Sequence, residues 1–235
     1  MNSCKEWYDE SYTKLGASSQ RKYPNEEVVR FIGRHFGSLG REDRSLLKLL
    51  EVGCGNGANL WMLAQEGFNV TGLDLSGISL GLAQRELESR DIFGISLIEA
   101  CMTRLPFEDN CYDAIIDCFS SNCLNTLDFV SYLEEAHRIL KTGGRLFIYT
   151  PSKRSDAYVY PDPSEFLDDS TLDGIRRETS PFYGNSYPFR FESPDSLCRK
   201  LIDKDFTVDR LELVSRSYRN MNEIFEWLVC DAVRD

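Results

Sequence analysis

Glycines at 53, 55 and 57, in the stretch Leu50-Glu51-Val52-Gly53-Cys54-Gly55-Asn56-Gly57-Ala58, carry the first chemical signal in the chain. Glycine lets a backbone bend where side chains forbid it and lets it approach a bound molecule closely. Where such a turn joins a strand to a helix, the first N–H groups of the helix also face the ligand. Asp74 follows about twenty residues later, the spacing at which an acid ending the next strand meets ribose hydroxyls. These residues suit a cofactor that contains a nucleoside. Gly53-x-Gly55-x-x-Ala58 also fits a dinucleotide pattern, so the turn and Asp74 alone do not separate NAD from S-adenosylmethionine.

The turn needs a strand before it and a helix after it, and the apolar spacing supplies both. Residues 46–53 form a nearly continuous apolar run, as expected of a buried parallel strand, and 58–67 read as a short helix closed by glycine. Strands are predicted at 68–75, 95–100, 112–119 and 145–150, with helices at 79–90 and 127–140. Helices also precede this series, at 5–13 and 25–37. Residues 151–192 break the rhythm, and 193–203 resume it as a helix with Ser193 as its cap and Pro194 at its first position. The last two strand-like runs, 206–214 and 223–232, stand too close for a helical crossover and should pair antiparallel. The expected architecture is therefore α/β: a doubly wound, mostly parallel seven-stranded sheet with an antiparallel last strand.

Composition narrows the function classes. The chain has 235 residues, 42% hydrophobic and 28% charged, which suits one domain spanning 1–235. No apolar run is long enough to span a bilayer and no secretory signal is visible, so a cytoplasmic protein without a membrane partner is expected. The net charge of −11 disfavours nucleic acid, whose affinity comes largely from Lys and Arg. Eight cysteines show no Cys-x-x-Cys and no paired histidines, so no metal is expected and the thiols read as reduced and buried.

Four further features separate the cofactors. Glu51, two residues before Gly53, is poorly placed beside a pyrophosphate and well placed to hold an ammonium or sulfonium group. Cys101-Met102-Thr103-Arg104-Leu105-Pro106-Phe107, followed by Tyr112-Asp113-Ala114-Ile115, resembles the "D-A-x-x-L-P-F … F-D-x-V" segment of methyltransferases. Arg138-Ile139-Leu140-Lys141-Thr142-Gly143-Gly144-Arg145-Leu146 resembles their "R-V-L-K-P-G-G-x-L" turn. The antiparallel final strand is the fourth feature. The chain thus resembles the class I S-adenosylmethionine-dependent methyltransferases, closely over 50–150 and by topology over 193–232.

This resemblance implies a Rossmann-like methyltransferase fold and S-adenosylmethionine as cofactor, with S-adenosylhomocysteine as product. It places Glu51, Gly53, Gly55 and Gly57 at the methionyl part, Asp74 at the ribose, and Leu75, Cys101 and Met102 around the adenine. Residues from Asp117 onward line the path from sulfonium to acceptor, with Asp117 itself counted among the cofactor-binding residues and as the one titratable candidate there for catalysis. Two departures stand out. Cys101 replaces the usual Asp and accepts hydrogen bonds weakly, and Asn122, near the place of a histidine in many members, cannot act as a general base. Neither His35 nor His137 is assigned a catalytic role.

Residues 1–45 are expected to form a helical cap and 151–192 an insertion over the acceptor site. Trp7, Tyr8, Tyr12 and Arg21 from the cap, with Tyr183, Tyr187 and Arg190 from the insertion, are the candidate substrate residues, and Arg21 or Lys22 could pair with the methionyl carboxylate. The reaction expected is methyl transfer to an oxygen or nitrogen of a small molecule, a sugar or related metabolite among the candidates. A non-catalytic cofactor-binding module acting with a partner, or an RNA or protein methyltransferase, are the alternatives. The sequence leaves the oligomeric state open.

Overall fold

A computed structural model describes residues 2–235. Helix α1 (Asn2–Leu15) leads through a single 3-10 turn to α2 (Glu26–Phe36) and a short α3 (Arg41–Ser45). Asn25 starts α2 by accepting the Glu27 N–H at 2.8 Å, and Val28, Phe31, Ile32 and Phe36 give the helix one buried face. Alternation of strand and helix follows: β1 (Lys48–Val52), α4 (Leu60–Gln65), β2 (Asn69–Asp74), α5 (Gly77–Glu88), β3 (Ser96–Glu99), β4 (Tyr112–Cys118), α6 (Thr126–Ile139) and β5 (Leu140–Pro151). After α7 (Asp156–Val159) come three very short strands, β6 (Phe166–Asp168), β7 (Thr171–Leu172) and β8 (Phe189–Arg190). Helix α8 (Pro194–Ile202), β9 (Phe206–Tyr218) and β10 (Glu223–Arg234) complete the chain.

The main sheet has seven strands in the order β3-β2-β1-β4-β5-β10-β9. The pairings from β3 through to β5 are parallel, and β10 slots between β5 and β9, antiparallel to both. The doubly wound sheet with an antiparallel last strand is the one expected from the apolar spacing. Its two faces are read directly from the alternation along each strand. Leu49, Ile116 and Phe147 join the core beneath α2, α4 and α5, whereas Leu50, Ile115 and Leu146 join the core beneath α6 and α8.

Two local features differ from the sequence reading. The strand expected to begin at 145 starts at Leu140, opposite Tyr112, and its register breaks before Ala114 faces Arg145. Gly143 (φ +76°) and Gly144 form a bulge inside one continuous strand, where a turn between elements was expected. Within 151–192, which shows no period in sequence, β6, β7 and β8 make a three-stranded antiparallel sheet. Strands of two or three residues are too short to leave a periodic signal. Arg177 and Thr179 tie this segment to the buried Glu223 of β10, Arg177 Nε and Thr179 Oγ1 donating at 2.9 and 2.6 Å. Among the described residues no helix is long and apolar enough to cross a membrane, and no group of three or more metal-ligating side chains occurs.

Candidate functional site

The strand order reverses between β1 and β4, and the loops leaving the carboxyl ends of β1, β2 and β4 open a crevice there. A cavity of about 530 Å³ occupies the crevice, roofed by α1. Its floor is the glycine turn. Gly53 (φ +62°) and Gly55 (φ +54°) lie in the left-handed region; a Cβ on Gly53 would overlap the Ser120 side chain, and one on Gly55 would stand 3.3 Å from the Tyr12 hydroxyl. Gly57 serves another purpose, as its missing Cβ faces Ala83 of α5 at 3.2 Å and lies outside the cavity wall.

Asp74 ends β2 and faces the cavity. Its Oδ2 accepts the Gly55 N–H at 2.8 Å and its Oδ1 the Ser76 N–H at 2.9 Å. Burial pushes this carboxyl up, and those two N–H groups oppose the shift. Leu75, Cys101 and Met102 line the same end, with Leu124 from the loop after β4. The Cys101 thiol is 3.0 Å from the Thr103 hydroxyl. Lys5 of α1 donates to the Leu75 carbonyl at 2.8 Å and to Glu99 at 3.2 Å, and Ser76 donates to Asp9, so the cap helix is bonded to this rim.

Glu51, two residues before Gly53 on β1, is 2% exposed and, like Gly57, is not itself part of the cavity wall. Asn59 donates to its Oε1 at 2.6 Å, and its Oε2 has no partner. Burial raises its pKa from 4.5 to about 7, with Arg21 and Asn59 pulling the other way. A buried carboxylate oxygen without a donor leaves an unmet need of a kind that native interiors rarely tolerate. The Arg21 side chain enters from the cap and donates to the Cys118 sulfur at 3.3 Å.

The other end of the cavity is aromatic. Trp7 and Tyr187 meet edge to face at 5.3 Å, and the Tyr8 and Tyr187 hydroxyls stand 3.0 Å apart. Phe119 stacks on Phe182 at 4.8 Å, and Tyr149 stacks on Trp227 at 5.7 Å. The Arg216 guanidinium sits 5.9 Å from the Trp227 ring. Tyr12 and Tyr183 also line the cavity, the latter 56% exposed at its edge.

Two sequence candidates belong elsewhere. Arg190 is fully buried, outside the cavity wall, with its guanidinium 3.5 Å from the Phe129 ring centroid, paired with Glu192 and donating to the Ser121 carbonyl at 3.1 Å. It is committed to interior partners. Asp117 is likewise 0% exposed and lies outside the cavity wall. Its Oδ1 accepts the N–H groups of Ser120 and Ser121 at 3.3 and 3.0 Å, so it caps the turn after β4. Its Oδ2, like Oε2 of Glu51, is buried without a partner.

Sequence reasoning missed Asn59, Tyr149, Phe119 and Arg216. Asn59 carried a signal, since an amide eight residues after Glu51 falls at the start of the helix that the turn feeds. Tyr149, Phe119 and Arg216 carried none, because only the folded sheet brings the ends of β4, β5 and β9 together.

The cradle fits S-adenosylmethionine. An unpartnered buried carboxylate oxygen stands just before two backbone-only glycines in the chain, and a strand-end Asp faces the cavity beside an apolar slot. Residues 49–144 match the family model described as a methyltransferase domain. The fatty-acid O-methyltransferase of Mycolicibacterium smegmatis is 30% identical over 151 residues, covering 63% of this chain and 52% of that protein. The demethylmenaquinone methyltransferase of Listeria welshimeri is 34% identical over 101 residues, 42% of each chain. The chain spans about half the length of the curated relatives that head the comparison. A solved 1,6-didemethyltoxoflavin-N1-methyltransferase of Burkholderia thailandensis, with 1,6-didemethyltoxoflavin and S-adenosylhomocysteine bound, superposes with a TM-score of 0.69 at 17% identity, covering 100% of this chain and 88% of that one. That likeness is one of fold.

Proposed function

We propose, on the premise that residues 49–144 belong to the class I S-adenosylmethionine-dependent methyltransferase family, that this protein transfers a methyl group from S-adenosylmethionine to a small molecule. The observation that carries the reading is the lone Glu51 Oε2 two residues before Gly53, with Asp74 presented to the cavity. A dinucleotide pyrophosphate would be repelled by a carboxylate there; an ammonium group is attracted. When bound, the cofactor supplies a sulfonium-activated methyl group.

The same reading gives each residue a part. Glu51 takes the ammonium group, Arg21 the methionyl carboxylate, and Asp74 the ribose hydroxyls. Leu75, Cys101, Met102 and Leu124 enclose the adenine, and the Met102 backbone N–H compensates for the weak thiol of Cys101. Methyl transfer asks mainly for in-line placement of a nucleophile and exclusion of water. Helix α1 and the 151–192 segment do both, as cap and insertion of one methyltransferase unit.

A small acceptor is supported by the aromatic lining, by the net charge of −11, and by the relatives named for fatty acids and demethylmenaquinone. The test is calorimetric titration with S-adenosylhomocysteine and with NAD, followed by transfer of a mass-labelled methyl group into a low-mass cell extract. Binding of S-adenosylhomocysteine with label in a low-mass product is the expected result. NAD binding without S-adenosylhomocysteine binding, or label confined to RNA or protein, overturns the proposal.

A further inference from the structure

The cavity wall is short of bases. Among its described residues there is no histidine and no glutamate, and Asp74 is its one carboxylate, already accepting two backbone N–H groups. Four lining tyrosines, Tyr8, Tyr12, Tyr149 and Tyr187, are held protonated by burial, and burial pushes the Cys118 thiol up to about 11. Lys5 is engaged by Glu99 and Asp9. What the wall offers at the aromatic end is donors and positive charge. The Arg216 guanidinium lies beside the Trp227 ring, and the stacked Tyr149 carries a hydroxyl without a hydrogen-bond partner among the described residues. The acids outside the wall are engaged: Glu26 is bonded to Arg30 at 2.8 Å, Glu226 is paired with Arg154 at 3.2 Å, and Glu51 accepts from Asn59 at 2.6 Å and is taken by the cofactor's ammonium group in the proposed function.

An alcohol or an ammonium group must lose a proton before or during attack, and a wall of donors has nowhere to put it. An acceptor that arrives ionised needs no base. We infer that the methyl acceptor is a carboxylate on an apolar or aromatic body, held by Arg216 and the Tyr149 hydroxyl, and that the product is its methyl ester. The inference deepens the proposed function and rests on it. One carboxylate oxygen attacks the methyl carbon with a lone pair, the new O–C bond forms as the C–S bond breaks, and the bonding pair stays on sulfur. A negative carboxylate and a positive sulfonium become a neutral ester and a neutral thioether, and no proton moves. Charge neutralisation along the reaction suits a cavity walled by aromatic rings.

The experiment pairs each acid with its own alcohol: benzoate with benzyl alcohol, phenylacetate with 2-phenylethanol, octanoate with 1-octanol. Mass-labelled S-adenosylmethionine is used at saturating concentration, and a low-mass extract is assayed beside the pairs. Label in products that mild alkali hydrolyses to methanol is expected, with acids preferred over their alcohols at least a hundredfold. With a saturated cofactor site the rate on an acid should be flat from about pH 6 to pH 9, whereas an acceptor that titrates or needs a base gains roughly tenfold per pH unit. Arg216→Gln should raise KM for the acid about tenfold, leave the S-adenosylhomocysteine Kd within twofold, and be partly rescued by Arg216→Lys. Alkali-stable products, transfer to alcohols in preference to acids, or no transfer to any acid while the cofactor binds, each overturns the carboxylate assignment and leaves the cofactor reading standing. Failure of the cofactor to bind overturns the proposed function itself.

Discussion

The two ends of the cavity are built by different means. At the cofactor end, short contiguous segments contribute backbone N–H groups, two glycines whose side chains must be absent, and carboxylates at strand ends. At the acceptor end, rings come from α1, the loop after β4, β5, the 151–192 segment and β10, and hardly any backbone takes part. The first end is specified by local chain geometry, so it tolerates almost no change at a few positions. The second is specified by packing among distant segments, so many of its side chains can vary one at a time.

Substitutions can break that contrast or sharpen it. The largest effect is expected at Arg190, whose removal leaves Glu192 buried with only Lys200 beside it. Arg190→Ala should lower unfolding stability by about 3–5 kcal/mol in denaturant titration. Material that folds should bind S-adenosylhomocysteine normally, and an acceptor-specific defect without loss of stability would return Arg190 to the site. Next, Gly53→Ala places a Cβ against Ser120 at a positive φ, and should weaken S-adenosylhomocysteine binding about a hundredfold by calorimetry, some 3 kcal/mol. An unchanged Kd would mean that the turn is not the floor of the cofactor site.

Glu51 gives a prediction with a sign. Its folded pKa of about 7 exceeds the ordinary 4.5, so the unliganded protein binds the proton more tightly than the unfolded chain does. Stability from this group is complete below 4.5 and is lost as pH rises through 7. The cofactor's ammonium group prefers the carboxylate, so affinity should fall about tenfold per pH unit below 7, with a proton released on binding. Both slopes should vanish in Glu51→Gln, measured by calorimetry in buffers of different ionisation enthalpy. The smallest effect belongs to the acceptor end: Tyr8→Phe removes one hydroxyl from the pair with Tyr187 and should cost about 1 kcal/mol of stability without moving the cofactor Kd.

The same contrast explains what could be read from the sequence. The glycine turn, Glu51 and Asp74 were legible because strand, turn and helix follow one another in the chain, so neighbours in sequence remain neighbours in space. The strand–helix alternation followed from apolar spacing, and the antiparallel pairing of the last two strands from the short link between β9 and β10. Arg190 misled because an arginine among aromatics suggests binding, yet Glu192, two residues along and on the same side of an extended chain, already offered the partner that buries it. At Asp117 the backbone N–H groups of Ser120 and Ser121 are near enough in sequence to occupy one carboxylate oxygen. Arg216 and Tyr149 were out of reach, because the sequence does not say which ends of β5 and β9 lie beside which face of β10.

The position of β10 also sets an order of assembly. It pairs with β5, whose residues lie about eighty positions earlier in the chain, and it is the strand that brings β9 into the sheet. Contacts of such separation form late, because the intervening chain must be ordered before they repay it. Strands β1 to β4 and their crossovers need none of them. A folding intermediate with β1 to β5 docked and β10 still free would hold the glycine turn and Asp74 but lack both Trp227 and Arg216. Such a molecule could capture its cofactor before it had any place to put a substrate, and bound cofactor would then favour the scaffold on which the last strand settles.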